Sequence, residues 1–192
     1  MPESPARTRI ITVAHVLFYQ HGIRATGIDK IIAEASVTKV TFYRHFPTKD
    51  DLVLAYLATR HEQWMQWFRD TLAQYHASQT LSGRQHQPFA PLLRALGEWF
   101  GTPEFRGCAF INITAELGGT LSGTLELTAA HKREMVAAIA TLLPDHPQRE
   151  NIAAAAGLAV DGAVIRAQTG PEEAVQALAA LQIALAALAK IH

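Results

Sequence analysis

The sequence predicts an all-α protein. Three observations predict it. Val, Ile and Thr never alternate with polar residues over a strand-length run. Gly and Pro cut the chain at intervals that suit helices. Side-chain capping signals stand where the helices would begin. The 192 residues are 49% hydrophobic and 18% charged, enough apolar material for a core. No repeat of 20–50 residues is visible.

The elements follow in order. Pro2 and Pro5 leave a short polar arm. A helix over Arg7 to Gln20 has Ile10, Val13, Ala14, Leu17 and Phe18 on one stripe, and Gly22 stops it. Three short units come next. Thr26, with Asp29 three residues on, caps a helix ending near Ala35. Thr38 caps Lys39 to His45. Thr48, with Asp51 at the third helical position, caps a helix running long, to about Tyr75. Ser78 to Pro88, with Gly83, reads as a loop. Further helices are expected over Phe89 to Phe100, Cys108 to Leu117, Leu121 to Leu143 and Gln148 to Gln168. Thr169-Gly170-Pro171 is a stop and a start, and the last helix reaches about Ile191.

The formal charge is zero, but it is unevenly spread. Residues 1–60 hold 8 Lys or Arg and 5 Asp or Glu, a net of +3, and residues 61–192 hold 9 and 12, a net of −3. A general basic coat is excluded, and a local basic end is indicated. The single Cys, Cys108, excludes an intrachain disulfide and a multi-Cys zinc site. The amino terminus lacks a signal peptide's apolar core, and the uncharged stretch from Ala174 to Ala189 is short for a membrane span. A soluble, cytoplasmic protein is expected. No glycine-rich phosphate loop, no Gly-x-Ser-x-Gly elbow and no paired metal-ligating His is present, so neither an enzyme nor a metal or cofactor is expected.

Residues 26–49 carry the sharpest signal. Two short helices joined by a tight turn have the geometry of a helix-turn-helix. The second, beginning after Thr38, carries the hydrogen-bond donors Lys39, Thr41, Tyr43, Arg44 and His45. Phe42 and Phe46, four apart, would anchor its other face. Such a helix suits an element that reads a nucleic-acid groove. Lys49 adds a charge and a helix start for a phosphate.

The stretch from Thr26 to Leu54, TGIDKIIAEASVTKVTFYRHFPTKDDLVL, resembles the DNA-binding domain of the tetracycline-repressor (TetR) family. TFYRHFPTKDDL is the strongest match, since the family commonly shows Thr-Leu-Tyr-x-His-Phe-x-x-Lys followed by an acidic residue and Leu. The close likeness covers about residues 8–57. It implies that Lys39, Thr41 and Tyr43 meet bases or adjacent phosphates. It implies backbone contacts for His45, Lys49 and Thr26. Two positions depart from the pattern. Ser36 stands where the turn usually carries Gly, and a positive φ there would cost Ser of the order of 1 kcal/mol more. Val40 stands where a small residue or Pro is common, and either reads a thymine methyl or blocks close approach.

The resemblance also implies a division into a DNA-binding domain, residues 1–50, and a helical ligand-binding and dimerisation domain, residues 51–192. Trp64, Trp67, Phe68, Phe89, Leu93, Leu96, Trp99, Phe100, Phe110 and Met135 fall on helices that surround the family's ligand cavity. Asn112, Thr114, Glu116 and His131 are the polar candidates there. In the last helix Val175, Leu178, Leu181, Leu185 and Leu188 form a stripe. Ala155, Ala156, Ala159, Gly162 and Ala163 offer small residues in the helix before it. Together they suit a four-helix dimer contact, or else internal core. The implied function is a homodimeric regulator, a repressor that binds a palindromic duplex operator and is released by a small, mainly apolar effector. Such an effector would act by shifting the helix over 49–75. A thiol-based redox sensor acting through Cys108 and a helical binding protein that no longer reads DNA are the alternatives.

Overall fold

A computed structural model describes residues 4–81 and 87–191. Among these residues the regular elements are helices: α1 (Pro5–His21), α2 (Ile28–Glu34), α3 (Lys39–His45), α4 (Lys49–Leu81), α5 (Ala90–Phe100), α6 (Ala109–Leu117), α7 (Thr124–Ala140), α8 (Arg149–Ala167) and α9 (Pro171–Leu188). The chain divides into two compact units, one of residues 1–62 and 109–129, the other of residues 63–108 and 130–192. The expected boundary at residue 50 falls inside the first unit.

Most elements stand where the sequence places them. The differences lie at the ends. α1 starts at Pro5, whose missing N–H and fixed φ suit a first helical turn. α4 continues past Tyr75 to Leu81. Of the expected loop, residues 82–86 with Gly83 lie outside the described residues, as does Pro2 of the arm. α7 is shorter than expected. Gly123 has φ 89, in the left-handed region, so the helix begins only at Thr124. At its other end, bonds from Leu142 N–H to the Ile139 carbonyl and from Leu143 N–H to the Ala140 carbonyl tighten the chain before Pro144.

In the first unit, α1 packs on α2 and α3. It contributes Ile10, Ile11, Ala14, Leu17 and Phe18 to a core that also takes in Ile31, Phe42, Phe46, Leu52 and Tyr56. Gly22 ends α1 with φ 84 while its N–H donates to the Phe18 carbonyl at 3.0 Å. On the flank of this core the Arg60 guanidinium lies 4.2 Å over the Tyr19 ring and 3.0 Å from the His15 Nε2. Burial and the Arg60 charge push His15 down to about 4.

In the second unit, α9 packs on α8 and α5. Ion pairs join Arg69 of α4 to Glu134 of α7, and Lys132 of α7 to Asp161 of α8, each at 2.5 Å. Gly107, at φ 80, makes room for Gln168, whose side-chain amide donates to the Arg106 carbonyl at 2.8 Å. A Cβ there would come within 2.1 Å of that side chain.

Candidate nucleic-acid interface

The helix-turn-helix is α2, a turn at residues 35–38, and α3. The Thr38 hydroxyl accepts from the Thr41 N–H at 3.1 Å and caps α3 as expected. Thr48 and Asp51 form a reciprocal pair at the start of α4. The Asp51 N–H donates to the Thr48 hydroxyl at 3.1 Å, and the Asp51 carboxylate accepts from the Thr48 N–H at 3.0 Å. Ser36 has φ 51, so the turn does hold a non-glycine residue in the left-handed region. The Arg9 Nε–H donates to the Ala35 carbonyl at 3.3 Å and fastens this turn to α1.

These bonds fix which face of α3 meets solvent. Phe42 and Phe46 are buried, at 0% and 2% exposure. Lys39, Val40, Tyr43 and Arg44 are exposed. The Tyr43 ring stands edge-on to Phe42 at 5.3 Å. The Lys39 ammonium is 3.9 Å from the Asp29 carboxylate, a loose, exposed pair that a phosphate could replace at little cost. The Thr38 and Thr41 hydroxyls share a hydrogen bond of 2.9 Å. His45 is half-buried, with its Nε2 3.4 Å from the Ser4 hydroxyl.

Two expected contacts come out differently. Thr26 does not cap α2, because Gly27 holds that position. Thr26 is 1% exposed and its hydroxyl donates to the Gly22 carbonyl at 2.7 Å, so its side chain offers no surface to a duplex. The Lys49 ammonium turns back to donate to the Ile23 carbonyl at 2.6 Å. Burial holds its pKa below the usual lysine value, against the opposing pull of the Glu116 and Asp50 carboxylates. Lys49 thus holds the turn after α1.

Glu116, expected among ligand-facing groups, belongs to the same node. Its carboxylate accepts from the backbone N–H groups of Ile23 at 3.1 Å and Arg24 at 2.5 Å. Phe110, in the first unit with Asn112 and Glu116, is buried with its ring 6.3 Å from that of His61. Asn112 is half-buried.

In the second unit Trp64 is the hub of a ring cluster. Its ring centroid lies 4.7 Å from Phe68, 5.1 Å from His131, 5.3 Å from Trp99 and 5.9 Å from Trp67. Trp99 in turn meets Phe100 at 5.9 Å and Phe105 at 5.2 Å. Phe105 is a member that sequence reasoning missed, because it stands in the Gly- and Pro-broken stretch between helices. The Trp64 indole N–H is buried with no acceptor among the described residues. Leu96 and Met135 are buried, and Leu93 borders a cleft of about 380 Å³ with Pro88, Gln182 and Lys190. Cys108 is 5% exposed, a setting that limits reaction of its thiol.

The leucine stripe of α9 is divided, and its middle lies in internal core, one of the two readings the sequence allows. Leu181 and Leu185, at 3% and 1% exposure, and Ala163 of α8, at 7%, are buried within the chain itself. Leu178 packs inward as well, with its Cδ1 3.7 Å from where a Gly97 Cβ would be. Ala155, Ala159 and Leu188 are half-buried and Gly162 is exposed. The open apolar positions are Leu158 at 76%, Ile165 at 51%, Val175 at 70% and Ile183 at 74%. All-round apolar helices conceal which side faces the core.

Known proteins share this amino-terminal arrangement. Residues 10–56 match the family model described as bacterial regulatory proteins, tetR family. Over these residues the chain is similar to the amino-terminal domain of tetR-family regulators. An uncharacterised HTH-type transcriptional regulator of Mycobacterium tuberculosis is 39% identical over 54 residues, 28% of this chain and 27% of that protein. The HTH-type transcriptional activator FasR of Mycolicibacterium smegmatis is 31% identical over 72 residues, 38% of this chain and 33% of its own. The matched segments thus span about a quarter to a third of these relatives. The crystal structure of a TetR-family transcriptional regulator from Streptomyces coelicolor has a TM-score of 0.78 at 28% identity, over 97% of this chain and 91% of that one. The TetR fold therefore extends beyond the matched domain. Among the described residues no helix is long and apolar enough to cross a membrane.

Proposed function

We propose that the protein is a ligand-responsive, DNA-binding transcriptional regulator of the repressor type. The observation that carries this reading is the solvent face of α3. Lys39, Tyr43 and Arg44 stand together on it, backed by buried Phe42, inside the segment that matches the family model. A short helix with donors outward is what major-groove reading requires. Two copies related by a two-fold axis would read the two halves of a palindrome. The surface proposed to join them is the open apolar side of α8 and α9, Leu158 and Ile165 with Val175 and Ile183, since four large exposed apolar side chains on two helices that pack together suit an interaction site.

The effector proposed is small and mainly apolar. It would bind among the rings around Trp64, where an acceptor on the ligand would satisfy the buried indole N–H. It would act through α4, whose first residue holds the turn after α1. Only a difference in its affinity for the DNA-bound and released forms can drive that release. The relative FasR is an activator, so the likeness itself does not set the sign of regulation. Repression is therefore tested separately, by placing the operator upstream of a reporter.

The experiment is selection of duplexes from a random pool by the purified, ligand-free full chain at fixed, near-physiological salt, because phosphate contacts make affinity salt-dependent. Enrichment of a palindrome supports the reading. Failure to enrich any sequence overturns it.

A further inference from the structure

Val40 is 78% exposed, more than any other large hydrophobic residue among those described. It sits in the middle of the outward face of α3. Tyr43 and Arg44 follow at i+3 and i+4 and so flank it, while Phe42 and Phe46 point to the opposite side. Every other side chain on that face is a hydrogen-bond donor. Valine in a helix is held almost entirely in one χ1 rotamer, so its two methyls stand rigidly and lose little freedom on contact. Capping by Thr38 fixes the turn from which they project. In the major groove the apolar group on a base edge is the C5 methyl of thymine. Methyls pressed on any other base edge would displace water from a donor or acceptor and give it no partner.

We propose that Val40 is a specificity-determining residue that packs against a thymine 5-methyl in each half-site of the operator. The proposal rests on the DNA-reading role of α3 given above.

The test uses the full chain and the duplex enriched by selection. Each thymine in a half-site is replaced in turn by deoxyuridine, which removes only the methyl. For the unaltered protein, one position per half-site should weaken binding roughly three- to fivefold, the effect of one buried methyl. Val40→Ala should bind the thymine duplex with a comparable loss and show no further loss with deoxyuridine at that position. Because Val40 is exposed, the melting temperature of Val40→Ala should match that of the unaltered chain. A flat deoxyuridine scan on an enriched palindrome overturns the Val40 assignment and leaves the DNA-reading role standing. Tighter binding of all duplexes by Val40→Ala also overturns it, since the side chain would then be a block to close approach. If no duplex is enriched, the role of α3 itself fails, and the assignment falls with it.

Discussion

In α2 and α3 a single residue of each, Ile31 and Phe42, is buried, whereas α8 and α9 bury eight and four residues and still leave Leu158, Ile165, Val175 and Ile183 open. The short helices cannot rely on apolar area. Directional bonds hold α3 at its start and the chain on either side of the pair: the Thr38 cap, the Thr48–Asp51 pair, Lys49 on the Ile23 carbonyl, and Glu116 on the Ile23 and Arg24 amides. The long pair is held by area and has apolar surface to spare. Directional bonds fix the angle of an exposed polar face, which suits contact with a groove. Surplus apolar surface suits another copy of the same surface.

The largest effect should come from removing Phe42, the one buried side chain within α3. Phe42→Ala should cost about 3–5 kcal/mol and abolish duplex binding, read by thermal melting and by a binding titration. If α3 tolerated that loss, the directional bonds alone would hold it, and the contrast with the long helices would be sharper still. In the long pair the two faces of α9 should separate cleanly. Leu185→Ala should cost about 2–5 kcal/mol at every protein concentration. Ile183→Glu should leave helicity intact and shift sedimentation towards the monomer. A dimer that survives Ile183→Glu and Leu158→Glu together would move the interface elsewhere.

A third test uses pH. His15 is held neutral in the folded state by burial and by Arg60, down to about 4, against an ordinary value of 6.5. Between these values the unfolded chain carries the extra proton, so stability falls as pH drops from 6.5 towards 4. The loss should be of the order of 2 kcal/mol, allowing for partial solvation, and His15→Gln should remove that part of the slope in pH-dependent melting. The smallest effect should come from Ser36→Gly, which relieves the left-handed backbone at φ 51 and should raise stability by about 0.5–1 kcal/mol, while Ser36→Ala should give no gain.

Much of the amino-terminal region was legible because its signals are local. Thr38 and Thr48 cap helices within three residues of themselves, and the demand on Ser36 follows from its place in a two-helix turn. Thr26 misled because a Thr three residues before an acidic side chain looks like a cap. Its hydroxyl instead donates to the Gly22 carbonyl, four residues back at the end of α1, and Gly27 takes the cap position. Glu116 was unreadable for a different reason, since its partners stand more than ninety positions earlier in the chain. In α9, Ala and Leu fill 11 of the 18 positions, so the periodicity that marks a buried side is weak. Leu181 and Leu185 turned out to be buried within the chain, while Val175 of the same stripe and Ile183 between them stay open.

The central claim is that the outward side chains of α3 read a specific duplex. The most direct measurement is a titration at one fixed salt concentration of the enriched palindrome and a scrambled duplex, with the unaltered chain and with the Lys39→Ala, Tyr43→Ala double variant. Both side chains are exposed, so the variant should keep its melting temperature. The account predicts that the unaltered chain binds the palindrome about a thousandfold or more tighter than the scrambled duplex, and that the double variant loses most of that ratio. Equal affinity of the unaltered chain for both duplexes, or a ratio untouched by the double variant, would contradict it.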